Sequence, residues 1–128
     1  MTIIDHNHVP ESPWRPRYRM WHIAGPDQGM STRLSYAEVE PGAGAPLHYH
    51  QSDELIVVLA GEVEVRIGDM VHRVGPDHTI AVPPGVHHGF TVSGVEHARL
   101  YTFFPVPDPF SQTTFVEGGP PASPTTSP

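Results

Sequence analysis

The chain has 128 residues, a formal net charge of −7 and a hydrophobic content of 38%. That length and apolar content favour one compact domain with a single core. All seven basic residues are arginines, and the acidic balance argues against nucleic acid or an anionic membrane as a partner. The lack of cysteine excludes disulfides, thiolate metal ligands and cysteine nucleophiles, and the lack of lysine excludes a Schiff base.

Polar ends bracket the predicted domain. Residues 1–13 are polar and contain two prolines, so we predict an N-terminal arm there. Residues 117–128 are rich in Gly, Pro, Ser and Thr, which predicts a flexible tail. The domain itself is expected over residues 14–116. Because no stretch has the pattern of a signal peptide or the length of a membrane span, the expected location is the cytoplasm.

Short strands follow one another through this domain. Apolar residues recur mostly with a period of two, and residues 54–60 form a continuous apolar run typical of a buried strand. Together these patterns predict strands at 34–40, 54–60, 62–67, 71–74, 79–82, 88–92 and 98–104. Gly68 and Asp69 form the predicted turn of a hairpin. The 16 prolines and 12 glycines leave little room for helices, and turn signals recur roughly every 8–12 residues. This pattern favours an all-β sandwich or barrel.

The histidines supply the first candidate site. His48 and His50 are two residues apart, so both imidazoles project from the same face of a strand and can reach one metal ion. Glu54 can join them only if the chain turns after His50, since six extended residues would span roughly 20 Å. Gln51, Ser52 and Asp53 are suitable turn residues. We therefore predict two ligands at the end of one strand and a third at the start of the next.

Two other histidine pairs compete with this interpretation. His6 and His8 repeat the spacing, but no carboxylate follows at the matching offset, so a chance pair is the simpler explanation. His87 and His88 follow a Pro-Gly turn, and only one of two adjacent side chains can point inward from a strand. The spacing alone leaves open whether either of them binds a metal.

The motifs resemble those of the cupin family. Gly42-x5-His48-x-His50-x3-Glu54-x6-Gly61 is similar to the first cupin motif, and Pro83-x-Gly85-x2-His88 is similar to the centre of the second. That register selects His88 over His87 as the fourth ligand. The resemblance spans roughly residues 30–105. Two places depart from the pattern: Asp77 and His78 stand where a glycine and an aspartate are usual, and Val92 stands where an asparagine is usual.

The resemblance implies a fold, a ligand set and an assembly. The implied fold is an all-β jelly-roll (double-stranded β-helix) barrel of two antiparallel sheets. The implied ligands are His48, His50, Glu54 and His88, holding one divalent transition metal per chain, and the implied assembly is a homodimer. Iron, manganese, nickel, cobalt, copper or zinc would suit such a set, and we favour iron.

Three functions fit a metal site with two open positions. We favour a dioxygenase of the non-heme iron type acting on a small organic substrate. The alternatives are a non-redox isomerase, cyclase or lyase, and a barrel that binds small molecules without catalysis. An intact ligand set argues against the last of these, and the sequence does not separate the first two.

Candidate catalytic residues come from two strands. Tyr36 shares a strand face with Glu38, while Arg99 and Tyr101 share a face of the last predicted strand, where they could bind a substrate carboxylate or enolate. The alternative is that these three residues lie outside the barrel or at a dimer interface, because strand parity does not say which face is inward. We interpret His22, His72, His78, His87 and His97 as solvated or structural.

A cluster of large apolar residues near the N-terminus bears on assembly. Trp14, Tyr18, Met20 and Trp21 need a surface to cover them. We therefore predict a homodimer in which residues 14–23 pack across the interface.

Overall fold

Two antiparallel sheets face each other in the computed structural model, which describes residues 1–122. The first sheet has the order β1-β2-β3-β10-β5-β8. Its strands are β1 (Glu11–Arg15), β2 (Tyr18–Ala24), β3 (Arg33–Val39), β10 (Ala98–Phe104), β5 (Glu54–Ala60) and β8 (His78–Val82). The second sheet has the order β11-β4-β9-β6-β7. Its strands are β11 (Thr113–Phe115), β4 (Gly44–His50), β9 (His88–Val92), β6 (Val63–Ile67) and β7 (Met70–Val74).

The predicted fold class is confirmed. Helical structure in the described residues is limited to three single 3₁₀ turns, at His6–His8, Pro26–Gln28 and Phe110–Gln112. The strands face each other across a shared interior, as a jelly roll requires. No helix within residues 1–122 is long and apolar enough to cross a membrane.

Alternation along the strands separates the interior from the outer surface. On β10, Ala98, Leu100, Thr102 and Phe104 are buried, while the residues between them are exposed or half-buried. Inward side chains from both sheets form one hydrophobic core, in which Val39 is fully covered and Val58, Val63 and Leu100 are 1% exposed. Tyr18, Met20 and Ile56 belong to this core and also line a space beside it. We call this space the barrel cavity.

Residues at both ends of the chain contact the barrel. β1 begins at Glu11, inside the segment predicted as an arm, and pairs with β2. Near the other end, the Nη2 of Arg15 donates to the carbonyl of Gly119 at 2.8 Å, and the amide of Ala122 donates to the carbonyl of Trp14 at 2.8 Å. Gly119 and Ala122 of the predicted tail are thus hydrogen bonded to β1, while residues 123–128 lie outside the described part.

The apolar cluster near the N-terminus is covered by its own chain. Tyr18 and Met20 are 7% and 3% exposed and belong to the core, and Trp14 packs against it. Only Trp21 projects from the outer face, where its ring lies 5.5 Å from that of Tyr36. The homodimer stays a prediction, but the need for a partner to cover Trp14, Tyr18 and Met20 no longer supports it.

The departure from the family pattern at Asp77 has a backbone consequence. Asp77 has a φ of 65°, in the left-handed region that favours glycine. Its amide donates to the carbonyl of Val58 at 3.1 Å, so the turn keeps its place against β5. Aspartate tolerates this conformation better than most residues, which explains why the turn forms without the usual glycine.

Candidate metal site and cavity

Four predicted ligands meet between the two sheets. His48 and His50 end β4, His88 begins β9, and Glu54 begins β5 in the opposite sheet. Their ligand atoms all lie within 4.8 Å of one another. His48 is opposite His88 in the register of β4 and β9, which places the two rings 4.3 Å apart. The turn predicted between His50 and Glu54 is present, so the chain delivers two ligands from one strand and a third from the next.

The turn before His88 is tied to the same strand end. Gly85 has a φ of 77°, and its amide donates to the carbonyl of His50 at 2.7 Å. A glycine suits this position because its backbone conformation is left-handed. The next strand starts with His88 pointing inward and 3% exposed, whereas His87 stays exposed and stacks on Tyr49 with ring centroids 4.8 Å apart. The choice of His88 over His87 therefore agrees with the positions of the two side chains.

Hydrogen bonds at Nδ1 orient each imidazole. The Nδ1 of His48 lies 2.6 Å from the carbonyl of Pro46, and that of His88 lies 2.9 Å from the carbonyl of Val86. Because a carbonyl oxygen can only accept, both Nδ1 atoms carry a proton. Metal-binding histidines are commonly held in this way by the ring nitrogen that does not touch the metal.

His50 is oriented through a side chain instead. Its Nδ1 lies 2.6 Å from Oγ1 of Thr113 on β11. The hydroxyl of Thr113 donates its only proton to the carbonyl of Pro109 at 2.9 Å, so it must accept from His50. The Nε2 of His50 then holds a lone pair, is buried, and has no hydrogen-bond partner within residues 1–122. It lies 3.3 Å from Oε1 of Glu54 without the alignment of a hydrogen bond.

The cluster fits a cation. The Nε2 of His88 is 2.8 Å from Oε1 of Glu54. Because the proton of the neutral His88 ring is on Nδ1, the Nε2 lone pair and the carboxylate oxygen repel each other unless a cation lies between them. Burial opposes the charged carboxylate, but the neighbouring His50 and His88 imidazoles outweigh it and lower the pKa of Glu54 to about 2. Burial likewise opposes protonated His88, yet the Glu54 carboxylate raises the pKa of His88 above its usual value. A proton or a metal ion is thus the natural occupant of this space.

Burial and positive neighbours act differently on His48. Burial lowers the pKa of His48 to about 4, and the charge of His88 adds to the effect. His48 is therefore neutral near pH 7, as a metal ligand must be. Three imidazoles in their neutral form and one carboxylate could hold one divalent transition metal. This donor set does not identify which metal.

The ligands stand at one part of the barrel cavity, which has a volume of about 600 Å³. Most of its other walls are apolar or aromatic. They include Trp14, Tyr18, Met20, Ile56, Phe90, Phe104, Phe110 and Phe115. Such a cavity is of the size and character that takes up small organic ligands.

The three predicted catalytic residues lie elsewhere. Tyr36, Arg99 and Tyr101 are on the outer face of the first sheet, and none lines the barrel cavity. Arg99 donates to the hydroxyl of Tyr36 at 2.7 Å, and that hydroxyl donates to Glu38 at 2.8 Å. This position corrects the prediction that they bind substrate beside the metal ligands. The residues of β10 that point inward are Ala98, Leu100, Thr102 and Phe104, which alternate with Arg99 and Tyr101 along the strand.

Two residues, one in contact with a predicted ligand and one lining the barrel cavity, were not singled out from the sequence. Thr113 lies on β11, a three-residue strand without a clear alternation. His22 lines the barrel cavity, although we had interpreted it as solvated or structural. No local signal marks either residue, since their roles depend on pairing with His50 and with Ser35, which are 63 and 13 residues away in the chain.

The fold and the ligand cluster define a cupin barrel with a candidate metal site, and residues 35–104 match the Cupin domain family. Because that match covers more than half of the chain, the protein belongs to the cupin family. It is also similar to Protein SchB of Streptomyces halstedii, with 35% identity over 68 residues. That alignment covers 52% of this chain and 49% of SchB, so only about half of each protein is compared.

Solved structures share the architecture at low sequence identity. The polyketide cyclase RemF from Streptomyces resistomycificus has a TM-score of 0.77 and 23% identity, with 93% of this chain and 87% of RemF covered. KdgF from Halomonas sp. has a TM-score of 0.71 and 17% identity, over 82% of this chain and 94% of KdgF. Oxalate decarboxylase from Bacillus subtilis has a TM-score of 0.74 and 16% identity, over 91% of this chain and 33% of that enzyme. At these identities the similarity shows the fold alone.

Proposed function

We propose that the protein is a metal-dependent, non-redox cyclase that closes a ring in a poly-β-ketone chain. The observation that carries the proposal is the barrel cavity, in which aromatic and apolar walls lead to three histidines and one glutamate. A flexible chain of carbonyl groups would be folded by such walls and would present an oxygen to the ligand cluster. RemF, a polyketide cyclase, has the same fold over most of both chains, which supports this choice among cupin activities.

The reaction needs no oxidant. In an intramolecular aldol condensation, a methyl or methylene carbon beside a carbonyl loses a proton and attacks a second carbonyl carbon. The attacked oxygen takes up that proton and becomes a hydroxyl, which leaves as water together with a hydrogen from the neighbouring ring carbon. Enolisation of the remaining carbonyls then makes the ring a phenol. A divalent metal held by His48, His50, Glu54 and His88 would supply Lewis-acid polarisation of a carbonyl oxygen.

The chain's own residues would contribute binding through aromatic side chains. Trp14, Phe110 and Phe104 line the cavity in edge-to-face contact, with Trp14 and Phe110 ring centroids 5.2 Å apart and those of Phe104 and Phe110 5.8 Å apart. Planar rings of this kind stabilise the flat product and the folded substrate by stacking.

The dioxygenase that we favoured from the sequence uses the same ligands and is the second candidate. Two open positions on a metal with three histidines and one carboxylate would accommodate both a chelating substrate and dioxygen. The two proposals differ in their need for oxygen and iron. A cyclase works with zinc under anaerobic conditions, whereas a dioxygenase does not.

A defined triketone distinguishes them. The full chain, loaded with zinc or with iron(II), is incubated with 1-phenylhexane-1,3,5-trione with and without oxygen. We expect 5-phenylresorcinol, formed by loss of one water, with zinc and under argon. His88→Ala should abolish this product, and His87→Ala is the matched control because His87 is exposed and next in the chain. Oxygen consumption with cleaved products, only with iron, would replace the cyclase proposal by the dioxygenase.

A further inference from the structure

His22 occupies a position in the barrel cavity that the metal ligands do not explain. It lies on β2 opposite Ser35 of β3, and both side chains point inward. Its ring centroid is 5.6 Å from that of Trp14 and 5.7 Å from that of Phe110. His22 is therefore a polar ring among aromatic ones, on the part of the cavity wall that β2 forms.

The pairing with Ser35 assigns the ring protons of His22. Ser35 is 1% exposed, and its hydroxyl lies 3.0 Å from Nδ1 of His22. No other side-chain hydrogen bond of Ser35 occurs in the described part of the chain. A buried hydroxyl with one available acceptor donates to it, because leaving the donor unpaired is costly. With Nδ1 accepting, the single proton of the neutral ring is on Nε2.

The ring is neutral under ordinary conditions. Burial lowers the pKa of His22 to about 4, and the nearby charge of Arg33 acts in the same direction. Arg33 donates from Nε to the carbonyl of Pro107 at 3.0 Å. His22 thus offers the cavity one N–H donor without a positive charge, and Nε2 has no protein partner within residues 1–122.

We propose that His22 is a second polar anchor of the barrel cavity, whose Nε2–H donates to a carbonyl or phenolic oxygen of a bound aromatic ligand. This inference rests on the proposed function, since it names the contact that would orient a polyketone or its phenolic product. A donor set among the aromatic rings of Trp14 and Phe110 favours a ligand with an oxygen at the matching edge, because a ligand without it would leave the N–H unpaired.

Binding of a flat oxygenated probe tests the contact. The protein has two tryptophans, and Trp21 is on the outer face, so the Trp21→Phe background leaves Trp14 as the only one. Quenching of Trp14 by 1,4-dihydroxyanthraquinone reports binding to the cavity, with anthracene as the probe that lacks oxygen. We expect His22→Phe to weaken binding of the hydroxyquinone about tenfold, the usual effect of one lost hydrogen bond, and to leave anthracene binding unchanged.

Two further variants separate the contact from a structural role. His22→Gln keeps an N–H near the position of Nε2 and should restore most of the hydroxyquinone affinity, whereas the exposed-site control His87→Phe should change nothing. Imidazole ¹⁵N spectra of the wild type should show the proton of His22 on Nε2, and Ser35→Ala should remove this preference. Equal losses for both probes, no loss in His22→Phe, or a proton on Nδ1 in the wild type would each overturn the inference.

The outcome is separable from that of the proposed function. Probe binding and the imidazole spectra are measured in metal-free protein as well as zinc-loaded protein, and neither needs turnover. If the triketone is not cyclised but hydroxyquinone binding depends on His22, the cyclase proposal fails and the anchor stands. If cyclisation occurs and His22→Phe does not change probe binding, the cyclase proposal stands and the anchor fails.

Discussion

Thr113 is the residue on which the orientation of His50 depends, and Thr113→Val tests this with almost no change in volume. The substitution removes the Oγ1 that accepts from Nδ1 of His50 at 2.6 Å. His50 then either buries an unpaired N–H or moves its proton to Nε2, where it blocks the metal. Both outcomes oppose metal binding. An unpaired buried donor costs about 1–3 kcal/mol, so we expect zinc affinity to fall by about 10–100-fold.

The assay is zinc competition against a chelator of known affinity, with the Tm of the metal-free protein as a check on folding. Thr113→Ser keeps the hydroxyl and should bind zinc like the wild type. Thr114→Val is the matched control, because Thr114 is the next residue of β11 and is exposed. Unchanged zinc affinity in Thr113→Val, or an equal loss in Thr114→Val, would refute the role assigned to Thr113.

Four further predictions follow from other parts of the structure. His88→Ala should lose bound metal and the rise in Tm that zinc gives the wild type, because metal binding stabilises the folded state, and elemental analysis with thermal melts checks this against His87→Ala. The folded-state pKa of His22 is about 4, below its ordinary value, so metal-free protein should lose stability as the pH falls from about 6.5 to 4. The part of this loss that is due to His22 is up to ~3 kcal/mol. Urea melts of His22→Gln should lack that part. Asp77→Gly should raise Tm by a few degrees by relieving the left-handed backbone, worth about 1 kcal/mol, and a lower Tm would contradict the strain. Light scattering should give the mass of a homodimer at micromolar concentration, and a monomer would exclude it.

Local patterns predicted much of this protein. The continuous apolar run at residues 54–60 and the period of two at 88–92 and 98–104 match β5, β9 and β10 residue for residue, because both patterns are local properties of a strand. The spacing of His48 and His50 and the turn residues before Glu54 likewise predicted how three ligands would be presented. The cupin resemblance supplied the choice of His88, which the spacing alone had left open.

Tertiary structure decided which face of each strand points inward and which distant residues meet, and neither can be predicted from a period of two. Strand parity does not say which face of β10 is inward. Packing of its sheet against the opposite sheet turned Leu100 inward and left Arg99 and Tyr101 outside. The start of β1 in a polar segment and the three-residue β11 form because neighbouring strands offer them hydrogen-bond partners, which no local pattern records. Thr113 meets His50, and His22 meets Ser35, only after distant strands pair, so their effects on protonation arise from the fold and not from the neighbouring sequence.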